Sequence, residues 1–190
     1  ILANGGKGLD DYGGGGSGGG IYIRCATFGG TGEGMISARG GNAYLPVESG
    51  GGGGGRIAVD YQNLAADHGV RFSAAPAGIT WANSDRDNFW QKLPQAGTIW
   101  FPDLRLLTNR ITDRLFDGGR LYFPGTNTWG VSSLLVSNSA VTFADSGFRL
   151  AVTNDVRIDK DGMLGVVNLA CRGVALARGG ALAVFADPTN

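Results

Sequence analysis

This sequence is poor in the residues that most protein chemistry uses. It has one histidine, His68, so a three-histidine zinc centre is impossible within the chain. Its two cysteines, Cys25 and Cys171, stand too far apart for a CxxC metal or redox motif, and a disulfide between them is left open. Charged residues make up 17 % of the chain, against a usual value of roughly 25 %. Sixteen basic residues balance sixteen acidic ones, giving a net charge of zero. That balance supplies no overall field for nucleic acid or an anionic membrane, and no nucleic-acid partner is expected. No apolar run approaches the roughly 18 residues needed to span a bilayer, so membrane insertion is not expected. No signal peptide is visible. The chain opens at Ile1 inside a repeat, which is the expectation for a mature form or a fragment of something longer.

Glycine is what the chain has in excess, 35 of 190 residues, well over twice the usual roughly 7 %. With 43 % hydrophobic residues this is not the composition of a disordered chain. Six glycines run from Gly50 to Gly55 and lead into Arg56-Ile57-Ala58-Val59-Asp60-Tyr61. Such a run is either a linker or a place where backbones pack closer than a Cβ allows. The run recurs. Ile1-Leu2-Ala3-Asn4-Gly5-Gly6 aligns with Ile36-Ser37-Ala38-Arg39-Gly40-Gly41 at an offset of 35, and the same offset lays Gly15, Gly16, Gly18, Gly19 and Gly20 on Gly50, Gly51, Gly53, Gly54 and Gly55. The unit reads as a short strand, a Gly-Gly turn, a loop, a polyglycine run and an exit strand. The exit strands are Ile21 to Cys25 and Arg56 to Tyr61, which alternate in the β manner. Close packing is then the expectation, and replacing Gly53 with valine is its natural test.

Residues 62–96 hold most of the local charge, and Leu64-Ala65-Ala66-Asp67 reads as the start of a helical turn. This stretch is expected to be an irregular insertion or cap between a glycine-rich region, 1–61, and a run of short strands, 97–190.

In that last region Gly97-Thr98-Ile99-Trp100-Phe101-Pro102 matches Gly119-Arg120-Leu121-Tyr122-Phe123-Pro124 at an offset of 22. Leu134, Val136, Asn138 and Asp145 recur as Leu150, Val152, Asn154 and Asp161 at an offset of 16. A Gly-x-Leu-x-apolar phrase begins at Gly119, Gly162 and Gly180, and again, with one extra residue, in Ser146 to Val152. Turns of Asn, Asp, Ser and Gly separate the strands. The fold expected is all-β: a β-solenoid, right-handed β-helix-like, with a glycine-rich N-terminal part. A β-sandwich, whose strands recur every 8 to 12 residues, is the alternative.

The pattern from Gly13 to Ile23, then Gly-Thr-Gly, then Ile36 to Asn42 and the polyglycine run into Arg56-Ile57-Ala58-Val59, resembles the glycine-rich repeats of very large secreted bacterial surface proteins. Leu150-Ala151-Val152-Thr153-Asn154-Asp155-Val156 and Asp161-Gly162-Met163-Leu164-Gly165-Val166 resemble the β-helical repeats of autotransporter-like passenger domains. The resemblance implies a secreted or cell-surface location and an adhesin, fibre or coat role. Its partners would be further copies of itself or other surface polymers. The runs also resemble the bundled polyglycine II helices of some receptor ectodomains and phage adhesins, for which two copies are too few unless further sequence supplies the rest, so their local form is either polyglycine II or tight β-turns between sheets.

Candidate chemistry is sparse. No Lys-Ser/Thr follows a glycine run as a P-loop requires, and strands follow where a dinucleotide fingerprint needs a helix. Asp85 with Asp87, and Asp159 with Asp161, place two carboxylates at i and i+2 as calcium loops do, but neither pair continues to a distal Glu, so a turn with a solvated face is the simpler reading of both. His68 follows Asp67 without a Gly-x-Ser-x-Gly elbow and reads as an exposed loop residue. No catalytic residue and no cofactor are assigned. Trp81, Trp90, Trp100 and Trp129 are candidates for stacking on sugar rings, or for plugging a core. Arg105, Arg110, Asp113 and Arg114 are the nearest thing to the charged cluster of a polysaccharide lyase. The functional expectation is a non-enzymatic structural or adhesive element, assembling head-to-tail into a fibre. The alternatives are a carbohydrate-binding module and a fragment of a polysaccharide-active β-helix enzyme.

Overall fold

The structure is a computed structural model and describes residues 1–10, 13–44, 49–77, 95–143 and 145–185. Among these residues there is no helix. Trp81, Trp90, Asp85 and Asp87 lie outside the described residues.

The glycine-rich part holds β1 (Gly20–Gly30), β2 (Met35–Ser37), β3 (Arg56–His68) and β4 (Arg71–Ser73). Then come β5 (Thr98–Trp100), β6 (Arg110–Thr112), β7 (Asp117–Tyr122), β8 (Thr128–Val131), β9 (Leu134–Ser137) and β10 (Ala140–Phe143). The last strands are β11 (Arg149–Val152), β12 (Asp155–Asp159), β13 (Met163–Val166), β14 (Asn168–Ala170), β15 (Gly173–Leu176) and β16 (Ala181–Val184). A seven-stranded sheet runs β1-β3-β5-β7-β10-β13-β16, a four-stranded sheet β15-β12-β9-β6, a three-stranded sheet β14-β11-β8, and β2 pairs with β4. Every strand pairing among the described residues is parallel. From β7 onward the chain visits the seven-, three- and four-stranded sheets in turn, three times, before β16 returns to the first.

The sequence repeats map onto this order unevenly. The offset of 22 is a true register, pairing Thr98 with Arg120, Ile99 with Leu121 and Trp100 with Tyr122. It stacks the ring of Phe101 on that of Phe123, with centroids 6.0 Å apart. The phrase at Gly119 lies within β7, and those at Gly162 and Gly180 lead into β13 and β16, all of one sheet. The phrase Ser146 to Val152 does not belong with them. It enters β11 of the three-stranded sheet, and Ala140–Phe143 takes the place in the larger sheet. The offset of 16 is not a register either. Leu134 and Val136 pair with Val156 and Ile158, while Leu150 lies in another sheet between Trp129 and Leu169.

The inward residues form one apolar core in which Ile57, Val59, Ile99, Leu121, Val136, Val141, Leu150, Val156, Ile158 and Leu164 are all buried. Aromatic rings run through it. Phe72 meets Phe28, Phe101 and Phe116, Phe123 meets Phe148, and Phe148 stacks on Phe143, whose ring faces Trp129.

Leu64 to Asp67 lie within β3, where Asn63 and Leu64 pair with Thr27 and Phe28 of β1. The helical reading fails because Leu64 finds an apolar partner across the sheet, and strand pairing outweighs the helical preference of two alanines. Residues 71–77 are equally continuous with the glycine-rich part. Arg71 to Ser73 pair with Met35 to Ser37, and Ala77 N donates to Gly52 O.

The glycine segments bond to one another laterally. Gly15 N and Gly18 N donate to Gly50 O and Gly53 O, at 3.0 and 2.9 Å, while Gly5 N and Gly8 N donate to Arg39 O and Asn42 O, at 2.8 and 3.0 Å. Gly52 N and Gly55 N donate to Gly41 O and Ala38 O in the opposite chain sense. Donors three residues apart are the mark of polyglycine II, which has three residues per turn. Two glycine runs suffice because residues 3–8 and 38–42, which are not polyglycine, join the same lattice. The register also shifts. Leu2 pairs with Ser37, an offset of 35, whereas Gly20 pairs with Arg56, an offset of 36, so one extra residue is absorbed between them.

Candidate functional site

The expected cluster of Arg105, Arg110, Asp113 and Arg114 does not form as one group. Arg105 belongs with Tyr61 and Asp103. The Tyr61 hydroxyl donates to Asp103 Oδ1 at 2.9 Å, and Arg105 donates to the same carboxylate from its backbone N–H at 2.9 Å and its Nε at 2.8 Å. The guanidinium also lies 5.1 Å from the Tyr61 ring centre and reaches Gln62 O at 3.0 Å. Burial, then the hydrogen bond to the Asp103 carboxylate, push the Tyr61 phenol far above its ordinary range. Burial alone would raise Asp103, but the hydrogen bonds from Arg105 and Tyr61 outweigh it and hold the carboxyl below its ordinary value. A phenol locked as a donor is neither nucleophile nor base. The trio therefore fastens residues 103–105 onto β3, and only the folded chain brings Tyr61 to Asp103, 42 residues away.

Arg110 and Asp113 line a cleft of about 420 Å³ with Glu33, Arg71, Thr112 and Leu115. It forms where the turns around Gly32, Gly69 and Asp113 lie side by side. Arg71 N donates to Gly34 O, and Phe72 N to Leu115 O. Asp113 and Arg114 both have positive φ, 56° and 63°, which turns the chain tightly after β6. The Arg71 Nε is buried without an acceptor. Two guanidiniums face two carboxylates here, so the cleft is internally balanced in charge. A shallower groove of about 490 Å³ crosses the three-stranded sheet over Gly130, Ala151, Ala170 and Cys171. Its floor is of small side chains, with Thr153 and Arg172 as the polar groups of its lining.

Asp159 and Asp161 sit in different surroundings. Asp159 is buried, accepts from Arg157 Nη2 at 3.1 Å and is held below its ordinary carboxyl range, first by a hydrogen bond from Ser137 and then by Arg157. Asp161 is exposed and has its Oδ1 against Gly179. Among the described residues no three His, Cys, Asp or Glu side chains group as metal ligands. His68 is not an exposed loop residue. It ends β3, half-buried, with Nδ1 2.8 Å from Ala65 O, and that carbonyl fixes it as a donor.

The two described tryptophans part company. Trp129 is only 5 % exposed and its ring lies 5.7 Å from that of Phe143, so it belongs to the core and has no face for a sugar. Trp100 is half-buried on the outer side of β5, between Ala58 and Tyr122 in register. Tyr22 continues that row on β1, opposite Ala58. The sequence carried a signal for this row in its Trp-Phe-Pro and Tyr-Phe-Pro repeat. Cys25 and Cys171 are free, half-buried thiols, one on the β1 edge and one just beyond the β14 edge.

No family model matches this chain, and neither a curated protein nor a solved structure shows significant similarity to it.

Proposed function

We propose that this chain is a β-solenoid that serves as a structural or adhesive element of a secreted or cell-surface protein and assembles head-to-tail. The parallel pairing and the repeated visiting order of the sheets support the solenoid reading over a sandwich, which is built from antiparallel strands. The observation that carries the assembly reading is at one end of the sheets. β14, β15 and β16 are edge strands of three sheets, and on β15 and β16 inward apolar side chains lie open: Val174 is 42 % exposed, Leu176 53 % and Val184 64 %. Their register partners Val156, Ile158 and Val166 are 0, 0 and 1 % exposed. An open edge of paired strands with exposed apolar residues is a template for further chain.

Sedimentation across a concentration series, with electron microscopy of the same samples, tests the assembly. The expected outcome is concentration-dependent association that the double variant Leu176→Lys, Val184→Lys abolishes without change in circular dichroism. A monodisperse globular monomer at every concentration would sink this reading.

A further inference from the structure

The outer face of the seven-stranded sheet carries two neighbouring rows that the core does not explain. One row is aromatic. Tyr22, Ala58, Trp100 and Tyr122 follow one another across β1, β3, β5 and β7. Tyr22 is 67 % exposed and Tyr122 45 %. The next row, two residues earlier on each strand, reads Gly20, Arg56, Thr98 and Arg120. Arg56 and Arg120 are exposed and pair with no acid among the described residues. The acid nearest the rows in register, Asp60, already takes Arg24 at 3.4 Å and the Tyr22 hydroxyl at 3.5 Å. The face is thus locally positive in a chain of zero net charge.

We propose that this face binds an acidic polysaccharide, with sugar rings on Trp100 and Tyr122 and their carboxylate or sulfate groups on Arg56 and Arg120. Parallel strands set the spacing. Trp100 and Tyr122 stand one strand apart, roughly 4.8 Å, and the two arginines two strands apart, roughly 9.6 Å. A flat aromatic side chain covers the apolar face of a sugar at low entropic cost, and a guanidinium fork suits a planar oxyanion. Thr98 between the arginines adds a hydroxyl for the sugar's own hydroxyls. The alternation Arg-Ile-Ala and Arg-Leu-Tyr keeps these groups outward while Ile57 and Leu121 fill the core. This inference names the ligand for the adhesive half of the function proposed above, and it stands or falls apart from the assembly half.

Calorimetric titration of the full chain tests it, with oligogalacturonate as the carboxylate probe and a sulfated galactan oligomer as the sulfate probe. A neutral glucan oligomer and single-stranded DNA are the comparison ligands. The acidic oligosaccharide should bind at least tenfold tighter than the glucan and weaken as salt rises. Trp100→Ala, and the exposed pair Arg56→Gln, Arg120→Gln, should each weaken it at least tenfold with unchanged circular dichroism. Which of the two acidic probes binds tighter identifies the oxyanion. Equal affinity for glucan or DNA, or unchanged affinity in the arginine variant, would overturn the proposal. Repeating the titration on the Leu176→Lys, Val184→Lys variant keeps it independent of assembly.

Discussion

Gly54 and Ala74 approach so closely that a Cβ on Gly54 would overlap the Ala74 carbonyl oxygen, and the backbone nitrogen of Gly97 lies almost as near. Neither residue has a left-handed φ, so glycine is required here for space and not for conformation. At neighbouring Gly53 the nearest atom to such a Cβ is Gln95 O at 3.4 Å, an ordinary contact.

Gly54→Ala should therefore destabilise the fold by about 1 to 3 kcal/mol, the usual cost of overpacking. Gly53→Ala should lie within about 0.5 kcal/mol of the parent, because the added methyl meets only an ordinary contact and unfolded-state freedom is reduced. Urea unfolding midpoints check both. Gly53, the middle of the run, is thus the wrong position at which to test close packing. Equal effects of the two substitutions would refute the lattice.

Tyr61→Phe should cost about 0.5 to 1.5 kcal/mol through one lost hydrogen bond. Asp103→Ala should cost more, about 1 to 3 kcal/mol, since it strands a buried hydroxyl and frees Arg105. A double-mutant cycle measured by thermal unfolding should show coupling between the two positions. Additive effects would mean that the trio does not act as a unit.

The same trio sets a pH dependence at both ends of the scale. The Asp103 pKa is lowered on folding, so its contribution is complete above the unfolded value of about 4 and is lost as pH falls below that. The Tyr61 pKa is raised, so its contribution is complete below about 10 and is lost as pH rises further. Thermal midpoints against pH should fall at both ends. Asp103→Asn should flatten the acid limb, with Asp159 supplying what remains, and Tyr61→Phe the alkaline limb.

Trp129→Ala should cost about 3 to 5 kcal/mol, because it empties a buried site walled by Phe143. Trp100→Ala, on the outer face, should cost clearly less. Thermal unfolding of the two single variants separates them, and similar losses would contradict the division between core and surface.

Cys25 and Cys171 should both react with a thiol reagent in the unfolded chain without prior reduction, at two thiols per molecule. No reactive thiol would indicate a Cys25–Cys171 pairing that the fold does not make.

The sequence by itself determined the all-β character, the 22-residue register and the recurrence of the polyglycine runs. Each is a local property. Alternation places Ile57 and Val59 inward, and a repeated Phe at 101 and 123 meets its own copy when strands stack in parallel. Only the tertiary structure decided which sheet each phrase enters. Leu134 and Leu150 look alike in sequence, yet the turn before each delivers them to different sheets, and turn direction is not written in the apolar pattern. The same holds for which glycines are indispensable. Gly53 and Gly54 are indistinguishable letters, and what separates them is the carbonyl of a residue twenty positions away. Arg105 and Asp113, close in sequence, ended in different clusters for the same reason: the partners that fix a side chain's chemistry come from other layers of the fold.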